Sequence, residues 1–192
     1  MRKAQSMNLG VHRVGITGAS GCGVTTLGAA LSARLGAVHI DTDDHYWLAT
    51  DPPFQVKRDL PERLLRIAAE QARTGRWVMS GTLDDWAEPA TRDAELIVFL
   101  QVPTEVRLRR LAERERARFG DALDPGGAMH ETHRFFMGWA AEYESGTLPG
   151  RSRPRHEKWL AGLGKPVLRL DATRPTDALV RAVLERPGDP TG

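Results

Sequence analysis

A glycine-rich tract, Gly18-Ala19-Ser20-Gly21-Cys22-Gly23-Val24-Thr25-Thr26, joins an apolar run to a helical pattern, and it constrains the fold more than any other feature of the chain. The run before it, His12 to Gly18, reads as a strand. The segment after it, Thr25 to Leu35, reads as a helix: Leu27, Leu31 and Leu35 share one face, and Gly36 suits a C-cap. The alternation then repeats. Val38 to Asp41, Trp77 to Ser80, Leu96 to Val102 and Pro166 to Leu170 read as strands. Helical patterns cover Leu60 to Arg73, Thr104 to Phe119 and Pro175 to Glu185. Five strands separated by helices predict an α/β fold, a parallel sheet with helices on both faces. Gly120 to Gly150 interrupts the alternation and reads as a mobile insertion with one helix around Glu131 to Tyr143.

A chain of 192 residues is expected to form a single domain, here 1–186, with a frayed tail over 187–192. With 41% hydrophobic and 27% charged residues it has an ordinary globular composition. A net charge of +2 argues against an extended nucleic-acid surface. The longest purely aliphatic or aromatic run, Leu96 to Leu100, is too short to span a membrane. Met1 to Gly10 is polar and basic and does not resemble a secretory signal. The single cysteine, Cys22, excludes an internal disulfide and a thiolate cage, so a cytoplasmic location is expected.

The glycine-rich tract has the context of a phosphate-binding loop, or P-loop. Glycines admit backbone conformations barred to other residues, so successive N–H groups can converge on one anion. The helix that follows adds its positive N-terminal end. Gly18 to Thr26 are therefore the candidate nucleotide-binding residues, and the Thr25 hydroxyl stands where Mg²⁺ is ligated. One position departs from the pattern G-x-x-x-x-G-K-[ST]: Val24 occupies the place of the lysine.

With these residues in view, the chain resembles the small P-loop kinases of the adenylate kinase and shikimate kinase type over roughly residues 12–186. The resemblance implies a five-stranded parallel sheet in the order 2-3-1-4-5, with a lid insertion at about 119–155. It also implies ATP and Mg²⁺ as cofactors. Asp41-Thr42-Asp43 is similar to the D-x-D of shikimate and gluconate kinases. By that likeness Asp41 helps to hold Mg²⁺ and Asp43 faces the acceptor hydroxyl. Val102-Pro103-Thr104-Glu105, leading to Arg110 and Arg114, resembles the approach to the adenylate kinase lid. By that likeness Arg110 stacks on adenine, Arg114 contacts phosphates, and Asp171-Ala172-Thr173 edges the adenine.

The residues also carry their own argument. Asp41, Asp43 and Asp44 follow a strand whose carboxyl end should lie beside the loop, where open parallel sheets bind ligands. A solvated acidic turn would look the same. Arg110 and Arg114, at i and i+4, share a helix face suited to a polyphosphate; the other arginines of that helix read as solvated. Arg151, Arg153 and Arg155 form a second basic cluster, read as a loop before a helix near Glu157 to Leu163, from which a cation could replace the missing lysine. Tyr46, Trp47, Phe54 and Trp86 should flank an acceptor pocket with Gly81, Asp84 and Asp85, or else pack in the core. Trp139 and Tyr143 read as packing anchors. His130 and His133 have the spacing of a zinc pair but lack a third ligand. Cys22, at a helix N-terminus, is a candidate for a lowered pKa.

The expected function is ATP-dependent transfer of a γ-phosphoryl group to a nucleotide or small hydroxyl acceptor by a monomer or homodimer. Asp41, Asp43, Arg114, Arg151, Arg153 and Arg155 are the catalytic candidates. The alternative is a nucleotide-binding pseudo-kinase without transfer chemistry, for which Val24 speaks most directly.

Overall fold

The structure, a computed structural model, describes residues 11–186. Five strands are present: β1 (Arg13–Gly18), β2 (Val38–Asp41), β3 (Trp77–Ser80), β4 (Leu96–Gln101) and β5 (Val167–Asp171). They form one sheet in the order β2-β3-β1-β4-β5. Every pairing is parallel; Ile16 of β1 lies opposite Ser80 on one side and Val98 on the other. This is the expected order, with β1 in the middle. A strand flanked on both edges and covered on both faces is expected to be largely apolar; Leu96 to Leu100 of β4 meet that demand fully, and β1 meets it at Val14 and Ile16 while burying the polar Thr17.

Among the described residues seven α-helices connect and cover the strands: α1 (Val24–Leu35), α2 (Thr42–Tyr46), α3 (Leu60–Thr74), α4 (Thr104–Phe119), α5 (His130–Ala141), α6 (Arg153–Gly162) and α7 (Thr176–Leu184). Side chains alternate across the strands and build two cores. Val14, Ile16, Val78, Leu96, Val98 and Leu100 meet Leu27, Leu31 and Leu35 of α1 and Leu179, Val180 and Val183 of α7. On the other face Trp77, Met79, Ile97 and Phe99 meet Ile67 of α3 and Leu160 of α6.

Three differences from the sequence expectations have local causes. The D-x-D segment turns directly from β2, which Asp41 ends, into α2 at Thr42, because the Asp41 carboxylate caps α2 by accepting from the Asp43 N–H at 3.0 Å. Helix α6 begins at Arg153 rather than near Glu157, since Ser152 is its N-cap and Pro154 fits its first turn. Arg153 and Arg155 thus sit on a helix, not on a loop. In the insertion, α5 ends at Ala141, so Tyr143 lies beyond it, turned into the core. The expectations for Met1 to Gly10 and for 187–192 lie outside the described residues. No helix among the described residues is long and apolar enough to cross a membrane.

Helix α1 lies close against the sheet at Gly28. A Cβ there would collide with the His39 ring and stand 3.0 Å from the Ser80 Cβ. His39 is held in place by a 3.0 Å hydrogen bond to the Ser80 hydroxyl. Gly28→Ala is therefore expected to lose about 1–3 kcal/mol to overpacking, more than the ~1 kcal/mol alanine gains in a helix. Urea denaturation measures the difference; a net gain in stability would mean that His39 yields freely.

Candidate functional site

The glycine-rich tract connects the end of β1 to the start of α1 at the carboxyl edge of the sheet. Gly21 and Gly23 both have positive φ, 85° and 88°, a region L side chains rarely adopt. Gly21 also leaves no room for a side chain: its Cβ would lie 2.7 Å from the Arg107 carbonyl oxygen. Gly23 is different, because a Cβ there would meet nothing within 4 Å. The loop thus rests on α4 at one glycine and opens to free space at the other.

Within the loop the Cys22 N–H donates to the Ala19 carbonyl at 3.1 Å. Among the described residues, the N–H groups of Ser20, Gly21 and Gly23 have no acceptor. Helix α1 has no side-chain cap at Gly23 and no acidic residue in its first turn, so its first amides are unsatisfied as well. Backbone donors are rarely left without partners unless a ligand or water takes them. An open loop of unpaired amides at an uncapped helix end fits a phosphate chain. Thr25 and Thr26 are exposed at its rim. Val24 is half-buried and packs against the core under α1. Burial pushes the Cys22 thiol up to about 11, although the charges of Arg107, Arg151 and Arg110 oppose it. The candidate lowering of the Cys22 pKa at the helix N-terminus is not met, because desolvation outweighs those charges.

The acids and one arginine converge beside this loop. Asp41 ends β2 and spends one carboxylate oxygen on capping α2. Asp43 lies in the first turn of α2. Its side chain is exposed to solvent but crowded by neighbouring protein. That crowding raises its pKa; Arg151 and Arg114 oppose the rise and Asp41 adds to it. Arg151 is the basic residue that reaches the loop from the second cluster. Its Nη1 donates to the Ser20 hydroxyl at 3.5 Å, its Nη2 donates to the Thr82 hydroxyl, and its Nε is buried and unpartnered.

The comparisons with known proteins agree with this geometry. A family model described as AAA domain matches residues 14–122. Uncharacterized protein YqaC of Bacillus subtilis (strain 168) is 39% identical over 170 residues, which are 88% of this chain and 94% of that protein. The chain belongs to the AAA domain family. Among solved structures, shikimate kinase from Acinetobacter baumannii in complex with shikimate superposes with a TM-score of 0.57 at 14% identity, covering 91% of this chain and 92% of that one. A gluconokinase from Sinorhizobium meliloti 1021 gives a TM-score of 0.51 at 17% identity, covering 90% and 89%. At such identities the likeness is one of fold: this AAA domain has the five-stranded P-loop arrangement found in small-molecule kinases.

The other candidate residues of the AAA domain are placed as follows. Arg110 donates to the Ala172 carbonyl at 3.1 Å, which brings α4 to the turn after β5. Arg114 is exposed and paired with Glu115 at 2.9 Å. Arg153 is paired with Glu144 on the surface at 3.1 Å. Arg155 is held by Asp84 at 2.9 Å and by Asp85 at 3.2 Å. Tyr46, Trp47, Phe54 and Trp86 contact one another in a chain of edge-on or tilted rings, with the Arg63 guanidinium 4.1 Å above the Tyr46 ring. His130 Nδ1 donates to the Leu123 carbonyl at 2.8 Å, and no cluster of three metal-binding side chains occurs among the described residues.

Sequence reasoning missed a buried polar chain beneath the site. His156 is fully buried. Its Nδ1 is hydrogen-bonded to the Tyr143 hydroxyl at 2.7 Å, and its Nε2 faces Asp84 Oδ1 at 3.4 Å and Thr17 Oγ1 at 3.5 Å. Thr17 in turn donates to the Gly81 carbonyl at 2.9 Å. No spacing rule could have found this group, since its members come from β1, the β3 turn, the segment after α5 and α6.

Burial pushes the Asp84 carboxyl up, but its contact with His156 and the charges of His156, Arg155 and Arg151 prevail and hold it below the ordinary aspartate value. A depressed folded pKa means that the ionised form stabilises the fold above the unfolded pKa. The contribution is lost as pH falls through that value and on to the folded one. Asp84→Asn is expected to lose about 1.5–3 kcal/mol at neutral pH. The gap between parent and variant should shrink below about pH 4. Urea titrations at several pH values check this; a gap independent of pH would show that Asp84 is not ionised in the fold.

Proposed function

We propose that this AAA domain is an ATP-dependent phosphotransferase acting on a nucleotide or small hydroxyl acceptor. One observation carries the reading: a loop of unpaired amides at an uncapped helix end has beside it a carboxylate with raised pKa, Asp43, and a guanidinium without an acidic partner among the described residues, Arg151. A binder of phosphate alone has no use for the carboxylate.

The amides of Ser20 to Thr26 would hold the phosphates of ATP and fix their register. Thr25 and the free oxygen of Asp41 would hold Mg²⁺, which neutralises polyphosphate charge when bound. Arg110 would border the adenine where it meets the Ala172 carbonyl. Asp43 would accept the proton of the acceptor hydroxyl as its oxygen bonds to the γ-phosphorus. The bond to the β,γ-bridging oxygen breaks, and ADP leaves with that electron pair. A raised carboxylate pKa suits this work, since a stronger base takes the proton more readily near neutral pH. Arg151 would place its charge on the transferring group, the duty for which Val24 has no cation. Arg153 and Arg155 are tied elsewhere by Glu144 and Asp84.

The rival reading, a nucleotide-binding protein without transfer, rests on Val24 packing into the core instead of reaching the loop. Single-turnover reaction with γ-labelled ATP and a panel of hydroxyl acceptors separates the two. With the responsive acceptor, Asp43→Asn should retain ATP binding and lose about 10²-fold or more in transfer. Equal turnover in parent and variant would remove the base assignment.

Arg151→Ala should lose about 10²-fold or more in transfer, the scale of one lost donor to developing charge. Val24→Lys should restore part of that loss, because either residue brings a cation to the same oxygens. A double-mutant cycle on the transfer step measures the coupling. Strict additivity of the two changes would exclude Arg151 as the lysine's replacement.

A further inference from the structure

Arg107 is the largest fully buried side chain among the described residues, and it lies directly behind the phosphate loop. Its Nη1 donates to the Ser20 carbonyl at 3.3 Å and to the Ala140 carbonyl at 3.2 Å; its Nη2 donates to the Thr104 hydroxyl at 3.2 Å. The guanidinium stands 5.1 Å from the centre of the Tyr143 ring. Its Nε is buried without a partner. All of these partners are neutral, and Arg107 forms no ion pair among the described residues. A buried cation without a counter-ion is costly, and such charges are ordinarily paired. The anion is missing on the protein side. The other side of the loop is where phosphates would bind.

We infer that Arg107 is a positioning residue for the polyphosphate, a fixed cation that acts through the Ser20–Gly21 peptide. This rests on the nucleotide-binding part of the proposed function. The carbonyl of that peptide takes a charged hydrogen bond from Arg107, and its N–H, on Gly21, is one of the loop amides without an acceptor. Drawing electron density toward the carbonyl makes the N–H a better donor, as in any chain of hydrogen bonds. The same guanidinium satisfies a carbonyl in the last turn of α5, so the loop and the insertion are fastened to one charge. Its field reaches the loop: Arg107 is the first of the charges that oppose the rise in the Cys22 pKa, which burial drives. With Val24 carrying no charge, Arg107 holds positive potential under the loop permanently, whereas Arg151 reaches it from the side.

The test compares Arg107→Lys with Arg107→Gln. Both can still donate to the Ser20 carbonyl, and they differ in charge. Thermal shift and calorimetry with Mg-ATP, inorganic pyrophosphate and adenosine are the probes. Arg107→Gln should bind ATP at least 10-fold more weakly and lose the stabilisation by pyrophosphate, with adenosine binding unchanged. Arg107→Lys should stay within about threefold of the parent for ATP. Equal affinity of the two variants for ATP and for pyrophosphate overturns the inference, as does a loss of adenosine and ATP binding in equal proportion, the mark of a merely structural role. If Arg107→Gln does not fold, Arg107→Met, which fills the space without a polar atom, takes its place in the same comparison. A parent protein that binds neither ATP nor pyrophosphate at millimolar concentration overturns the nucleotide reading itself. A parent that binds both, with variants that match it, overturns the Arg107 inference alone.

Discussion

A loop whose amides must stay free for a ligand cannot be held by those amides, so it has to be held from behind. That constraint organises much of this molecule. Gly18 is the last residue of the central strand, and Gly21 lies against the backbone of α4 with no room for a side chain. The Arg107 side chain reaches the Ser20 carbonyl from beneath. Sheet, helix and guanidinium fix the carbonyl side of the loop and leave the N–H side open. The cost is a buried charge and several unsatisfied donors in the free protein, the kind of local penalty that clusters at binding sites.

The second cohesive element is the polar chain from Tyr143 through His156 to Asp84 and Arg155. It fastens the insertion and α6 to the ends of β1 and β3, where apolar side chains alone would give no fixed register. Arg151 lies one residue before the Ser152 cap of α6. The chain that anchors α6 therefore also sets where Arg151 enters the site. Asp84, expected beside an acceptor, instead spends its charge on this anchoring. The short bond between Tyr143 and His156 shows how closely the chain is drawn at one end, while Asp84 Oδ1, 3.4 Å from His156, is buried without a hydrogen-bond partner at the other.

Sequence periodicity is enough to define the sheet, because strands buried on both faces must be largely apolar and helices between them must be amphipathic. The glycine spacing likewise determines the phosphate loop, since positive φ at Gly21 and Gly23 is a local demand met by local residue choice. The Ser152 cap and Pro154 were equally local signals for the start of α6.

What the sequence could not rank was its arginines. Arg107, Arg110 and Arg114 belong to one helix, and Arg151, Arg153 and Arg155 alternate along one short segment. Only the tertiary structure buries the first, leaves Arg114 in solvent, brings Arg151 to Ser20 and ties Arg153 and Arg155 to Glu144 and Asp84. The reason is physical: backbone conformation and hydrophobic pattern are fixed within a few residues. What a long charged side chain does depends on which acids and carbonyls other parts of the chain place within its reach.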